Sequence, residues 1–152
     1  MTRFRPLLAA LLIAGTTAAA PLTATAAEHT IRMLNYGPDG SMVFDPPFLK
    51  TAVGDTVTFV PENSGHFVQS YATPDGVTPW KSAADQPFTV TLEKEGVYLY
   101  VCPPHLMMAM IGVIQTGAAT NLDAVTEKAN RLRPKLVMKG ERLEQYLSRV
   151  GK

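Results

Sequence analysis

The sequence predicts a mainly β chain, a sandwich or barrel of about seven or eight short strands followed by two helices. Three observations carry this expectation. Apolar residues recur at every second position through much of residues 27–117, with turn signals between the runs. One run, Val97-Tyr98-Leu99-Tyr100-Val101, is apolar throughout, as in a strand covered on both faces, or on its inner face and along one edge. Beyond Gly117 the apolar spacing lengthens to that of a helix.

The elements follow in order. Ile31, Met33 and Asn35 alternate with polar neighbours and set a first strand over residues 29–36. Gly37-Pro38-Asp39-Gly40 turns the chain. Val43-Phe44 and residues 48–50 flank Pro46-Pro47, a pair that cannot donate to a ladder and so belongs to an edge or a bend. Gly54-Asp55 is a second turn, and residues 56–60, β-branched and aromatic, form a strand. Residues 70–86 have weak periodicity and hold the only tryptophan, Trp80; they read as a long connection with one short helical turn. Phe88, Val90 and Leu92 alternate with Thr89 and Thr91, and Glu95-Gly96 turns into the apolar strand 97–101. The last strand spans 111–116.

A helix over 121–131 has Leu122, Val125, Ala129 and the following Leu132 at helical spacing, with Thr120 or Asn121 as N-cap. Arg133-Pro134 restarts the chain, because proline suits a first helical turn. Leu136, Val137, Leu143, Tyr146, Leu147 and Val150 then stripe a second helix, with Gly140 inside it at about 1 kcal/mol relative to alanine. The helices, residues 120–151, are too short to hold a core alone. They are expected to pack on the β body, residues 27–117, within a single domain spanning 27–152.

Residues 1–26 read as a secretory signal peptide. Arg3 and Arg5 precede an apolar run from Leu7 to Ile13, and Ala24-Thr25-Ala26 has the small-x-small form of a cleavage site, with cleavage after Ala26. The run falls short of the ~20 residues that span a bilayer, so no membrane anchor is expected. An exported chain whose only cysteine is Cys102 has no partner for an internal disulfide. A lone thiol in an oxidising compartment is a liability unless something, such as a metal, occupies it.

Charge is divided along the chain. Residues 27–120 hold four basic side chains (Arg32, Lys50, Lys81 and Lys94) against nine acidic ones, and residues 121–152 hold eight basic against four acidic. No basic stretch is interleaved with aromatics, so nucleic-acid binding has no support. The basic C-terminal part reads as the solvated face of helices.

The chemistry concentrates in Cys102-Pro103-Pro104-His105-Leu106-Met107-Met108-Ala109-Met110. A lone buried cysteine is ordinarily an inert small hydrophobe. Here it ends an apolar strand, a histidine follows three residues on, and two prolines stiffen the loop between them. His66 is the natural second imidazole, supplied by an early strand; of the other histidines, His29 lies near the start of the mature chain. Two histidines, one cysteine and a weak methionine form the ligand set of a blue-copper electron-transfer site. Met107 is too close to His105 to share its metal easily. Met108 or Met110 could be axial, and Met110 is favoured because the strand that follows anchors it. Zinc also takes cysteine and histidine, but methionine is a poor fourth ligand for a structural zinc. Three histidines are too few for a second, catalytic copper, so no enzyme is expected. A copper-storage protein without a redox partner is the alternative, since thioethers select Cu(I).

The chain resembles the pseudoazurin branch of the cupredoxin family of blue-copper proteins. The likeness covers nearly all of the mature chain and includes Met33-Leu34-Asn35, Gly40-Ser41-Met42-Val43-Phe44-Asp45-Pro46, Gly54-Asp55-Thr56-Val57-Thr58-Phe59, Gly65-His66, Gly96-Val97-Tyr98, the Cys102 to Met110 loop and Asn121-Leu122-Asp123. It implies an eight-stranded Greek-key β-sandwich with two C-terminal helices. It implies one type 1 copper ion held by His66, Cys102 and His105, with Met110 axial. It further implies a monomeric periplasmic electron carrier of denitrification. Such a carrier gives electrons to a reductase such as copper nitrite reductase and takes them from a cytochrome c. The family usually has asparagine after its first histidine ligand, threonine after the cysteine and lysine before it. This chain has Phe67, Pro103 and Val101 there.

Overall fold

The computed structural model describes residues 25–151. The expected signal peptide falls almost wholly on residues 1–24, which lie outside the described residues. Eight strands are present: β1 (Glu28–Gly37), β2 (Gly40–Asp45), β3 (Phe48–Thr51), β4 (Thr56–Pro61), β5 (Gln69–Ala72), β6 (Phe88–Thr91), β7 (Gly96–Val101) and β8 (Ile111–Thr116). They form two four-stranded sheets, ordered β2-β1-β4-β6 and β3-β8-β7-β5. Pro46-Pro47 is the bend at which the chain leaves the edge of one sheet for the edge of the other. Two pairings, β1 with β4 and β3 with β8, are parallel; the rest are antiparallel. This is the eight-stranded sandwich that the resemblance implies.

Strand β7 explains the placement of the loop that follows it. Its alternate residues Tyr98 and Tyr100 point into the core between the sheets, beside Phe44, Phe59, Ile31 and Ile114. Val97, Leu99 and Val101 face the other way, under the helices, beside Val125, Ala129, Leu132 and Leu143. Both faces are therefore dry, which accounts for a strand without a polar residue. Cys102 continues the inward register two residues after Tyr100 and enters the same inter-sheet core. Phe44 and Phe59 meet the Tyr100 ring edge-on at 4.9 and 5.0 Å, giving that core a stiff aromatic floor.

The helices are α1 (Leu122–Leu132) and α2 (Glu141–Leu147), with a 3-10 turn at Arg133–Lys135 between them. Asn121 precedes α1 but its side chain does not cap it. Oδ1 accepts the Val97 N–H at 2.7 Å and Nδ2 donates to the Val97 carbonyl at 3.0 Å, so the residue rivets the helix to β7. The second helix is shorter than its apolar stripe suggests. Lys139 is left-handed at φ +55°, and Gly140 sits at the helix start rather than inside it. The long connection also differs from expectation. It holds strand β5 and turns, with no helical turn. Trp80 from this segment packs on Phe59 at 5.6 Å and covers one side of the core. The basic C-terminal part is not all solvated, because Arg142 is buried. Among the described residues no helix is long and apolar enough to cross a membrane.

Asp55 ties down the start of the fold. Its Oδ1 accepts the Ala27 N–H at 2.9 Å, and its Oδ2 takes the Ala52 N–H at 3.0 Å and the His29 imidazole at 2.8 Å. His29 is thus an ordered residue of β1, engaged away from the candidate site.

Candidate metal centre

The residues from Pro103 to Met108 form a 3-10 turn with a kink at His105, whose φ of −113° and ψ of +21° depart from helical geometry. The two prolines supply no N–H, and the His105 N–H donates back to the Cys102 carbonyl at 3.0 Å. Ala109 then adopts the left-handed conformation at φ +53° and reverses the chain. The Cys102 N–H donates to the Met110 carbonyl at 2.9 Å, so both ends of the loop lie side by side at the mouth of the sandwich.

The loop closure brings three donors together. The Cys102 sulfur lies 3.7 Å from His66 Nδ1 and 3.5 Å from His105 Nδ1, with the two imidazole centroids 4.8 Å apart. A metal bonded at about 2.0–2.1 Å to nitrogen and about 2.3 Å to sulfur, with those bonds about 120° apart, needs a sulfur–nitrogen separation of about 3.8 Å. Both observed separations lie close to this. Cys102 and His66 are fully buried and His105 is partly exposed. Met110 is fully buried in the same inter-sheet cluster as Cys102, whereas Met107 is 62% exposed and Met108 is half-buried.

His66 reaches this point from a loop, not from a strand. It follows β4 by five residues, after Gly65 at φ +89°. Two residues that spacing does not single out hold it there. Asp85 Oδ1 accepts the N–H groups of Gly65 and His66, at 2.6 and 3.0 Å, while the Asp85 N–H donates to the His66 carbonyl at 2.8 Å. Asn35 on β1 places Oδ1 3.0 Å from His66 Nε2. That carbonyl can only accept, so Nε2 carries the proton and Nδ1 presents its lone pair toward the sulfur. In the sequence Asn35 shows as an alternating strand position within the Met33-Leu34-Asn35 motif, with nothing to pair it with His66, and Asp85 carries no signal.

Burial, and then the neighbouring His105 imidazole, push the His66 imidazole below its ordinary value and so favour its neutral form. Burial pushes the Cys102 thiol up, against backbone N–H groups of Phe67 and His105 that favour the thiolate. A cation must therefore displace a proton to take the sulfur as ligand. Phe67, in place of the family's usual asparagine, is half-buried with the Lys81 ammonium 4.8 Å from its ring centroid. The tie on the His66 loop comes from Asp85 instead.

A two-sheet sandwich with one thiol between two imidazoles at its end defines a small copper protein of the blue-copper class. The chain belongs to the copper-binding proteins of the plastocyanin/azurin family, whose model matches residues 31–117. Within that family its relatives include pseudoazurins. It is 40% identical to the pseudoazurin of Methylorubrum extorquens, over 82% of this chain and 85% of that one. It is 41% identical to the pseudoazurin of Paracoccus pantotrophus, over 65% of this chain and 70% of that one. The crystal structure of native pseudoazurin from Hyphomicrobium denitrificans superposes with a TM-score of 0.71 at 34% identity, covering 83% of this chain and all of that one. The chain is a blue-copper electron carrier with one type 1 copper ion, not an enzyme.

Proposed function

We propose that His66, Cys102 and His105 would hold the copper, with the Met110 thioether as the fourth, weak ligand, and that the protein is a monomeric periplasmic shuttle released by cleavage after Ala26. The observation that carries this reading is the Cys102 sulfur lying between two imidazole nitrogens at 3.5 and 3.7 Å. Copper bound there would supply one-electron exchange between Cu(II) and Cu(I). The residues do the rest. Asn35 and Asp85 keep His66 in one tautomer and one place, and the inter-sheet core keeps water from the sulfur. The burial of Met110, against the exposure of Met107, supports it over its neighbours as the thioether that faces the thiolate.

His105 is the partly exposed ligand, so electrons pass through its edge. Pro104, Leu106, Met107 and Met108 form the docking face around it, with Met42 alongside. The Met138 N–H donates to the Met107 carbonyl at 2.8 Å, which brings exposed Val137 and Met138 beside the same face. With Val101 where the family usually has lysine and a net acidic β body, docking relies on apolar contact more than on steering. The acceptor is a reductase such as copper nitrite reductase, and the donor a cytochrome c.

The test is a visible spectrum of the copper-loaded, oxidised protein before and after ascorbate. An intense orange-red band that bleaches on reduction is expected, and Cys102→Ser should abolish it without unfolding the chain. Met110→Gln should shift the spectrum and potential far more than Met108→Gln. A colourless copper-bound protein, or a band that survives Cys102→Ser, would overturn the assignment.

A further inference from the structure

Helix α2 reaches the metal loop from behind through one side chain. Arg142 is 3% exposed, and its guanidinium forms no ion pair among the described residues. Every hydrogen bond it makes is to a main-chain carbonyl. Nη1 donates to Met42 at 3.0 Å, to Ala109 at 3.2 Å and to Met108 at 3.3 Å. Nη2 donates to Asp39 at 2.6 Å and to Ser41 at 3.0 Å. The Asp39 carboxylate is engaged elsewhere, accepting the Tyr146 hydroxyl at 3.1 Å. A buried cation is costly unless its donors are used, and the planar fork of arginine suits two sets of acceptors at once.

The carbonyls it holds are not arbitrary. Met42 and Ala109 are non-glycine residues in the left-handed region, at φ +49° and +53°. An L-residue adopts that conformation only at a cost, because its Cβ crowds the following carbonyl, so the surroundings must hold it there. Ala109 immediately precedes Met110, and Met42 packs on the cluster that contains Cys102 and Met110. One guanidinium thus fastens both strained residues beside the metal loop.

We propose that Arg142 is a positioning residue of the metal centre. With the ligand set as proposed above, it fixes where the Met110 sulfur stands relative to Cys102 and holds Met42 at the docking face. The C-terminal helix is then part of the site's geometry rather than a cover for the sheet.

Arg142→Met and Arg142→Lys test this. Lysine keeps the charge but cannot span both carbonyl sets. Amide hydrogen exchange of the copper-free protein is measured first, so that this readout does not depend on the ligand assignment. Each hydrogen bond to a charged group is worth about 1.5–3 kcal/mol, so exchange in the Met108 to Met110 and Ser41 to Met42 segments should rise by at least about tenfold in both variants. Exchange at Tyr98 in β7 should not follow it. In the copper-loaded protein the charge-transfer band and the reduction potential should shift in both variants, with Arg142→Lys isolating geometry from charge. Should a variant unfold, the other carries the comparison. A uniform rise in exchange across the sandwich, or an unchanged band and potential in Arg142→Lys, would reduce Arg142 to a fold-stabilising residue and overturn the proposal. If Met110→Gln leaves the spectrum at the parent's, the ligand assignment fails on its own, and the exchange pattern decides Arg142.

Discussion

Asn35→Ala removes the acceptor from His66 Nε2, the contact that fixes the imidazole tautomer. His66 is fully buried and its bond to the half-buried Asn35 is 3.0 Å long, so the substitution takes the only protein partner among the described residues from a buried donor. An unpaired buried donor costs about 1–3 kcal/mol. In the copper-free protein that corresponds to a fall in melting temperature of roughly 3–6 °C per kcal/mol for a chain of this size. If the ring escapes the penalty by moving its proton to Nδ1, the donor lone pair turns away from the sulfur and metal binding bears the cost instead. Loss of a partner on the far side of a histidine ligand ordinarily lowers metal affinity by roughly 10–100-fold, or about 1.4–2.7 kcal/mol, the same size as the hydrogen-bond penalty. The assay is copper affinity by competition with a chelator, beside thermal unfolding of the copper-free chain. A lowered melting temperature with copper affinity unchanged within about threefold would refute the tautomer role, leaving Asn35 only a fold-stabilising contact.

Three further outcomes are expected. Hydrogen bonds from Ala52, His29 and Ala27 lower the Asp55 carboxyl to about 2. A depressed carboxyl contributes its stability in full above the unfolded value of about 4 and loses it as pH falls from there through about 2. Urea unfolding from pH 6 to 2 should therefore be less acid-dependent in Asp55→Asn, and coincident profiles would exclude the residue as a source of acid sensitivity. A Cβ added at Gly112 would meet the Tyr100 ring, with Cε2 only 2.6 Å away, inside a core with no slack. Gly112→Ala should cost about 1–3 kcal/mol by overpacking, whereas Tyr100→Phe, which removes a buried hydroxyl lacking a partner among the described residues, should be neutral or stabilising; equal losses from both would contradict this packing. Asn121→Ala should cost about 2–3 kcal/mol in denaturant unfolding by stripping both hydrogen bonds from Val97, with the copper band unmoved; a shifted band would mean that α1 also governs the metal loop.

What is legible in the sequence is what lies close together in it. Thr56-Val57-Thr58-Phe59 and Phe88-Thr89-Val90-Thr91 declare themselves by alternation, because one face of each strand turns toward the core and the other toward solvent. Cys102 and His105 are three residues apart and joined by prolines, so their convergence is nearly a local property. β5 escapes such a reading because Gln69-Ser70-Tyr71-Ala72 is short, mixed in character and shifted in register at Ser70/Ala72; its strand state comes from pairing with β7. The apolar stripe overstates the second helix because it does not reveal that Lys139 turns left-handed. The supports of the site are illegible for a similar reason. Asn35 lies 31 residues from His66 and Asp85 lies 19 from it, and nothing about an asparagine in a strand or an aspartate in a turn marks it as a histidine's partner until the sheets assemble. Arg142, 34 residues beyond Met108, looks like any other charge on a basic helix.

The contact between Ala27 and Asp55 bears on how the protein is prepared. If the leader is cleaved after Ala26, as proposed above, the nitrogen 2.9 Å from Asp55 Oδ1 is an α-ammonium rather than an amide, and a hydrogen bond from a neutral donor to a carboxylate becomes an ion pair. A single residue left ahead of Ala27 by an expression vector restores the amide and moves the positive charge about 3.8 Å along the chain. Two samples with the same strands and the same copper ligands would then differ in acid tolerance, and a leftover methionine would pass for a property of the protein.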